Sequence, residues 1–257
     1  MALFDIHQFG YMDDNYGVLL HDPASGRTAA IDAGDAAAYQ AALAETGWTL
    51  DEVWITHHHG DHTAGLADLL AVCPAEVTGP AEGAKTALAQ LDRPVRHDDS
   101  FDFAGHQVSV IATPGHTLDM TNYWIAEAGL AFTGDTLFAL GCGRVFEGDM
   151  EMMQDSLARL AALPAQTQIY CSHEYTAANA RFALSVDPDN AALIARAEQV
   201  DKLRAAGQPT VPSLLAEELA TNPFLRWGNA GLRARLGLET ASDAEVFAEI
   251  RRRKDNF

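Results

Sequence analysis

Four strong metal ligands fall within one seven-residue segment, Thr56-His57-His58-His59-Gly60-Asp61-His62, and this segment limits the possible folds more than any other. His57 and His59 are separated by one residue, so two imidazoles can converge on one ion. Asp61 and His62 follow at once and can turn toward a second ion beside the first. Imidazole nitrogen mixed with carboxylate oxygen suits zinc, iron or manganese, and the mixture is typical of catalytic sites rather than sealed structural ones. A histidine-rich surface loop that binds metal only adventitiously is the bland alternative. A catalytic centre also needs a rigid support, which short strands ending in ligand-bearing loops supply.

Several β-rich runs end in such polar clusters. Val53-Trp54-Ile55 runs into the histidine segment, Val108 to Ile111 leads to Thr113-Pro114-Gly115-His116, Leu130-Ala131-Phe132 to Thr133-Gly134-Asp135, and Ile169-Tyr170-Cys171 to Ser172-His173-Glu174. Alternating runs at Gly17–His21 and Thr28–Asp32 precede them, joined by a turn through Pro23 to Gly26. Apolar spacing predicts helices over Thr63–Leu70 and Met150–Leu163. Strands with interleaved helices, and ligands at four strand ends, imply two sheets packed face to face with helices outside. Beyond about residue 175 the pattern turns helical. Asp187-Pro188 is read as the cap of a helix from Asn190 to about Ala206, and Ser242 with Glu245 as a capping box for a last helix to about Lys254. The expected division is a catalytic domain over 1–174 and a small helical domain over 175–257.

The chain has 257 residues and 48% hydrophobic content, enough for this arrangement, and no apolar run reaches membrane-span length. Its opening, Met1-Ala2-Leu3-Phe4-Asp5, carries an acid where a secretion signal carries positive charge. Three cysteines without C-x-x-C spacing indicate neither disulfides nor a thiolate metal site, so a reducing, cytoplasmic setting is expected. The net charge of −19 argues against nucleic acid and anionic membranes as partners. Residues 1–150 carry 5 basic and 22 acidic residues, whereas residues 151–257 carry 12 and 14. An anionic small substrate would find its counter-charges mostly in the C-terminal part. No obligate protein partner is evident.

In chain order the candidate ligands are His57, His59, Asp61, His62, His116, Asp135 and His173, about the number that two ions sharing one carboxylate require. The pattern resembles the metallo-β-lactamase superfamily, an αββα sandwich, and is closer still to the glyoxalase II (hydroxyacylglutathione hydrolase) family. Gly134-Asp135-Thr136-Leu137-Phe138, Gly141-Cys142-Gly143-Arg144, His173-Glu174-Tyr175-Thr176, Pro209 to Ser213 and Arg251 to Phe257 carry that resemblance across essentially the whole chain. It implies that His57, His59 and His116 hold one metal, that Asp61, His62 and His173 hold another, and that Asp135 bridges. Asp61 and Asp135 would then be the catalytic carboxylates. The ions would be two divalent metals per chain, zinc first, with iron or manganese as alternatives. Arg144, Tyr175, Arg251 and Lys254 match positions that bind the glutathione moiety. Phe146 stands where the family commonly has tyrosine, and Ser172 and Ala64 where it commonly has glycine.

Other residues read more weakly. His58 should point away from its neighbours, and His7, His21, His97 and His106 lack partners at metal spacing. Cys142 has no uncommitted basic partner to make it a nucleophile, so a structural thiol is expected. Asp32 and Asp35 are either acceptors for ligating imidazoles or turn residues. Without the resemblance, the Arg251 to Lys254 run would read as a solvated helix end. Arg252 and Arg253 should be solvated.

The expected activity is hydrolysis of S-(2-hydroxyacyl)glutathione, foremost S-D-lactoylglutathione, by hydroxide formed between the metals. A thiolate leaving group, with a thiol pKa near about 8.5, needs little help from a general acid, and no unclaimed acid is evident. The rivals are a mono-iron persulfide dioxygenase, a catalytically silent metal-binding protein, and a nuclease, the last disfavoured by the charge.

Overall fold

The computed structural model describes residues 3–82 and 91–257. Met1 and Ala2, part of the opening read above, lie outside the described residues. Compactness divides the chain into one unit of Met1–Ala112 with Asp119–Gly134, and a second of Thr113–Leu118 with Asp135–Phe257.

The first unit begins with a mixed sheet, β1 (Asp5–Tyr11), β2 (Asn15–His21), β3 (Thr28–Ile31), β4 (Glu52–Trp54), β5 (Glu76–Pro80) and β6 (Arg93–Val95). β1, β2 and β3 pair antiparallel and β3 to β6 parallel. Helices α1 (Ala36–Thr46), α2 (Gly60–Thr63) and α3 (Leu66–Val72) fill the crossovers. The helix expected over Thr63–Leu70 is thus two pieces, with Gly65 between them packed so tightly that a Cβ would lie 2.4 Å from the Ala36 nitrogen. Strand alternation sorts the core. Val53 and Ile55 join Leu19, Tyr39, Leu43 and Leu69 in one buried cluster with α1 and α3. Trp54 points to the other face, where its ring meets Phe101, Phe103, Tyr123 and Phe132 at 5.2–6.4 Å. Those rings belong to an antiparallel sheet of β7 (Ser100–Phe103), β8 (His106–Ala112), β9 (Thr121–Ile125) and β10 (Leu130–Gly134). Face-to-face sheets with helices on one outer face therefore form within this unit.

The buried Glu52 carboxylate lies between these layers, ion-paired to Arg27 at 2.6 Å and Arg93 at 3.2 Å, and it accepts from Trp54 Nε1.

The second unit holds a hairpin of β11 (Leu137–Phe138) and β12 (Gly141–Cys142), helix α4 (Met150–Ala161), and the strand pair β13 (Gln168–Cys171) and β14 (Ser213–Leu214). Helices α5 (Thr176–Val186), α6 (Ala191–Ala205), α7 (Leu215–Thr221), α8 (Ala230–Leu236) and α9 (Asp243–Asp255) make up the rest. α6 occupies the predicted span, but its cap is Asn190, whose side chain accepts from the Leu193 amide. Asp187 closes α5 instead and pairs with Arg226. The capping box at Ser242 forms as expected, with the hydroxyl accepting from Glu245 and the carboxylate reaching back to the Ser242 amide. No helix among the described residues is long and apolar enough to cross a membrane.

Candidate functional site

In the first unit the parallel pairing of β3 with β4 sets two strand ends side by side. The chain leaves β3 at Asp32, whose backbone is left-handed (φ +62°), and runs from β4 through Ile55 to Thr56. Asp32 Oδ1 accepts from the Thr56 amide at 2.7 Å, and Oδ2 accepts from His62 Nδ1 at 2.8 Å. Aspartate tolerates this backbone better than most residues, and the side chain that results orients a candidate ligand. Asp35 has the other role, capping α1 by accepting from Ala37 and Ala38. Asp32 is thus the acceptor for an imidazole, and Asp35 a residue of the turn into α1.

Thr56 fixes the proton on His57. Its hydroxyl has one hydrogen, which goes to the acceptor-only carboxylate of Asp32 at 3.0 Å. It must then accept from His57 Nδ1, also at 3.0 Å, so in the neutral ring Nε2 keeps its lone pair. By the same logic His62, donating from Nδ1 to Asp32, keeps a lone pair on Nε2. His57 Nε2 lies 3.1 Å from His59 Nδ1, and His62 Nε2 lies 3.3 Å from Asp61 Oδ2. Donors about 2.1 Å from one ion at octahedral to tetrahedral angles are about 2.9–3.4 Å apart, so both spacings fit edges of a coordination shell. Two lone pairs facing each other at 3.3 Å repel unless a cation, or a second proton on the ring, lies between them. Asp61 is itself held, accepting from Asn15 Nδ2 at 3.1 Å and, through its carbonyl, from Tyr11 Oη at 2.8 Å. A single helical turn at Gly60–Thr63 places these groups, and Thr63 Oγ1 secures it by donating to the His59 carbonyl.

The second unit repeats the geometry. His116 donates from Nδ1 to the Arg144 carbonyl at 2.9 Å, leaving Nε2 facing Asp135 Oδ2 at 3.3 Å. Asp135 Oδ1 faces His173 Nε2, also at 3.3 Å. One carboxylate thus presents a different oxygen to each of two imidazoles, and all three side chains are buried. Gly143 makes this possible, since a Cβ there would lie 2.0 Å from the Asp135 carbonyl oxygen. The Tyr175 ring stacks on His173 at 4.8 Å, nearly parallel and partly exposed.

The basic residues divide. Arg144 is exposed. Lys254 is half-buried against the Phe182 and Phe257 rings, and its Nζ donates to the Ala178 carbonyl at 3.3 Å. Burial first, and then the positive charges of Arg251, Arg181 and Arg144, holds its pKa below the usual lysine range. Arg181, which sequence reasoning did not single out, thus belongs to this cationic group, and nothing in its spacing marked it. Arg251 is more buried than Arg144 and Lys254. It is 3% exposed, with its guanidinium bonded to the Cys142 carbonyl at 3.0 Å and to Asp255 at 2.8 Å. The guanidinium expected to meet a substrate is thus also tied to the protein's own groups. Arg252 and Arg253 are exposed, as expected, and they pair with Glu249.

His58 turns to Asp119 at 2.9 Å, a partner that sequence reasoning missed. His21 stacks on Trp48 and bonds Thr28, and His106 pairs with Glu127. Burial pushes the Cys142 thiol up to about 11, in keeping with a structural thiol. Phe146 is exposed, 5.2 Å from the His116 ring, Ser172 is buried, and Ala64 ends α2.

Residues 17–173 match the family model described as the metallo-beta-lactamase superfamily, and residues 174–257 the one described as hydroxyacylglutathione hydrolase C-terminus. The chain is 56% identical over 246 residues to the hydroxyacylglutathione hydrolase of Roseobacter denitrificans, covering 96% of both. It is 54% identical over 253 residues to that of Brucella anthropi, covering 98% of this chain and 97% of the relative. Among solved structures, ETHE1 from Myxococcus xanthus superposes with a TM-score of 0.68 at 27% identity, covering 96% of this chain and 90% of its own. A Staphylococcus aureus metallo-beta-lactamase, at 20% identity, shares the fold with a TM-score of 0.66, covering 98% of this chain and 71% of its own. The αββα fold class expected from the strand ends is the fold these structures share, and the chain belongs to the hydroxyacylglutathione hydrolase family of the metallo-β-lactamase superfamily.

Proposed function

We propose that this protein hydrolyses S-(2-hydroxyacyl)glutathione thioesters, foremost S-D-lactoylglutathione, to glutathione and a 2-hydroxy acid. The observation that carries the reading is Asp135, whose two oxygens face the Nε2 atoms of His116 and His173. A carboxylate so placed suits a bridge between two ions. His57 and His59 with His116 would hold one, and Asp61 and His62 with His173 the other. Two divalent ions, when bound, would lower the pKa of a water from about 15.7 toward 7 and polarise a carbonyl. Zinc is the expected metal, with iron or manganese suiting the same donors.

The chain's own residues do the rest. Asp32, Thr56 and the Arg144 carbonyl hold the protons of His62, His57 and His116 on Nδ1, so that Nε2 is the presented atom. Arg144 and Lys254 would meet the carboxylates of the glutathione tail, and the exposed edge of Tyr175 would line its path. The helical segment 175–257 is read as the substrate-binding domain. Three cysteines, none in a disulfide, suit a reducing cytoplasm.

The test is a panel of thioester, oxygen ester and amide of one hydroxy acid, run beside metal analysis. Rates should fall steeply along that series, because no leaving-group acid is evident. Comparable amide and thioester rates would sink the reading. Retention of Asp61, His62 and His173 beside the first ligand set favours the hydrolase over a mono-iron persulfide dioxygenase. Oxygen uptake with glutathione persulfide would reverse that preference.

A further inference from the structure

The hairpin Leu137–Cys142 lies between Asp135 and Arg144, and its own sequence does not explain its shape. A two-residue turn, Ala139-Leu140, joins β11 to β12, and Leu140 is left-handed at φ +56°, a position that favours glycine. Side chains from distant helices impose this turn. Asn222 Nδ2, fully buried, donates to the Phe138 carbonyl at 3.3 Å and the Gly141 carbonyl at 3.0 Å. Asn179 Nδ2 donates to the Ala139 carbonyl at 3.1 Å, and Arg251 Nη1 to the Cys142 carbonyl at 3.0 Å. Glu218, also fully buried, accepts from the Leu140 amide at 2.9 Å and is itself paired with Arg196. The Leu140 side chain sits among Ala180, Ala183 and Leu193.

Each end of this hairpin reaches a candidate ligand. Asp135 is two residues before β11, and Gly143, just after β12, donates its amide to the Thr136 carbonyl at 3.2 Å. The next carbonyl, Arg144, accepts the Nδ1 proton of His116. A displaced hairpin therefore moves the Asp135 carboxylate and turns the His116 ring together.

We infer that Asn222, Glu218 and Asn179 are positioning residues of the metal centre, holding Asp135 and His116 through the 137–142 hairpin. The helical segment thus has a role in metal affinity separate from substrate recognition. This inference rests on the two-metal reading above. Partners one step from a ligand commonly change metal affinity by about 10–100-fold. Acting one step further out, Asn222→Ala should weaken zinc binding by on the order of 10-fold.

The experiment is a zinc titration against a competing chelator, made on the full-length apo protein beside its unfolding midpoint. Asn222→Ala, Asn179→Ala and the milder Glu218→Gln are compared with Leu232→Ala, which truncates a buried side chain of α8, a helix that supplies none of the anchoring bonds described above. The expected result is weaker zinc binding in the hairpin-anchor variants and wild-type affinity in Leu232→Ala at a similar loss of midpoint. If Asn222→Ala does not fold, Glu218→Gln and Asn179→Ala carry the same comparison. Wild-type affinity in the folded anchor variants, or an equal loss in Leu232→Ala, overturns the inference. Zinc affinity and stoichiometry in Asp135→Ala equal to those of the wild type would instead overturn the two-metal reading, and this inference with it.

Discussion

Replacing Asp32 separates folding from metal affinity, because its two carboxylate oxygens have different duties. In Asp32→Ala the Thr56 amide and the His62 Nδ1–H are left as buried donors without their acceptor. Each orphaned donor costs about 1–3 kcal/mol. Alanine at φ +62° adds about 1 kcal/mol over a residue that bonds locally. The sum is about 3–7 kcal/mol, which for a chain of this size is a fall of about 10–20 °C in melting temperature around the middle of that range. Asp32→Asn should behave otherwise. Its one oxygen can still serve the Thr56 amide, and asparagine tolerates the backbone, so the melting temperature should fall only a few degrees. Its amide would then face His62 Nδ1 and favour the tautomer with the proton on Nε2, the atom read as the ligand. Affinity for the ion at that position should fall about 10–100-fold. Scanning calorimetry on metal-free protein reads the first effect without ligand-linked stabilisation. A chelator competition reads the second. Wild-type metal affinity in Asp32→Asn, or an unchanged midpoint in Asp32→Ala, would refute the assignment of these two duties.

Asp135→Ala should lower occupancy of both ions and abolish turnover, whereas His58→Ala, which loses only its bond to Asp119, should keep about two ions per chain by elemental analysis. Lys254→Ala should raise KM for glutathione thioesters by about 1–3 kcal/mol of lost charge-assisted contact, with little effect on a small thioester lacking the tail. This is a cleaner test than truncation, which would also remove the Arg251 anchor. Because burial and cationic neighbours lower the Lys254 pKa, its positive charge is lost as pH rises, beginning below the ordinary lysine range near about 10.4. Wild-type KM should therefore climb with pH before that range is reached, and more steeply than in Lys254→Ala. With its pKa pushed up to about 11 by burial, Cys142 should resist iodoacetamide at neutral pH in the native protein, and mass spectrometry should find Cys73 alkylated first.

The ligand-bearing strand ends were legible because a run such as Val53-Trp54-Ile55 reports its own burial, and the polar cluster that follows reports its end. The capping box at Ser242 was legible for the same reason, since both of its partners lie within one turn. The choice between Asp32 and Asp35 was not, because it depends on β3 lying beside β4 in parallel, a pairing between segments over twenty residues apart. Asp187-Pro188 misled because aspartate before proline suits a helix start and a helix end equally, and Asn190, whose side chain reaches the Leu193 amide, takes the cap. Arg251 and Lys254 do share a face of α9, but spacing cannot tell a face turned to solvent from one turned to a carbonyl 109 positions upstream. Asn15 and Asp119 carried no local signal, since each acts on a residue far along the chain.

The anchoring of the 137–142 hairpin also has a consequence in time. At about 5–20 residues per second of synthesis, the 109 positions between Cys142 and Arg251 take about 5–22 s to emerge. The Cys142 carbonyl waits that whole interval for its partner, and until Glu218 and Asn222 are made nothing holds Leu140 in its unfavourable turn. The segment carrying Asp135 is therefore fixed only after Asn222, 81 positions beyond Gly141, has been made. A nascent chain can display the histidine segment long before it can hold Asp135 in place.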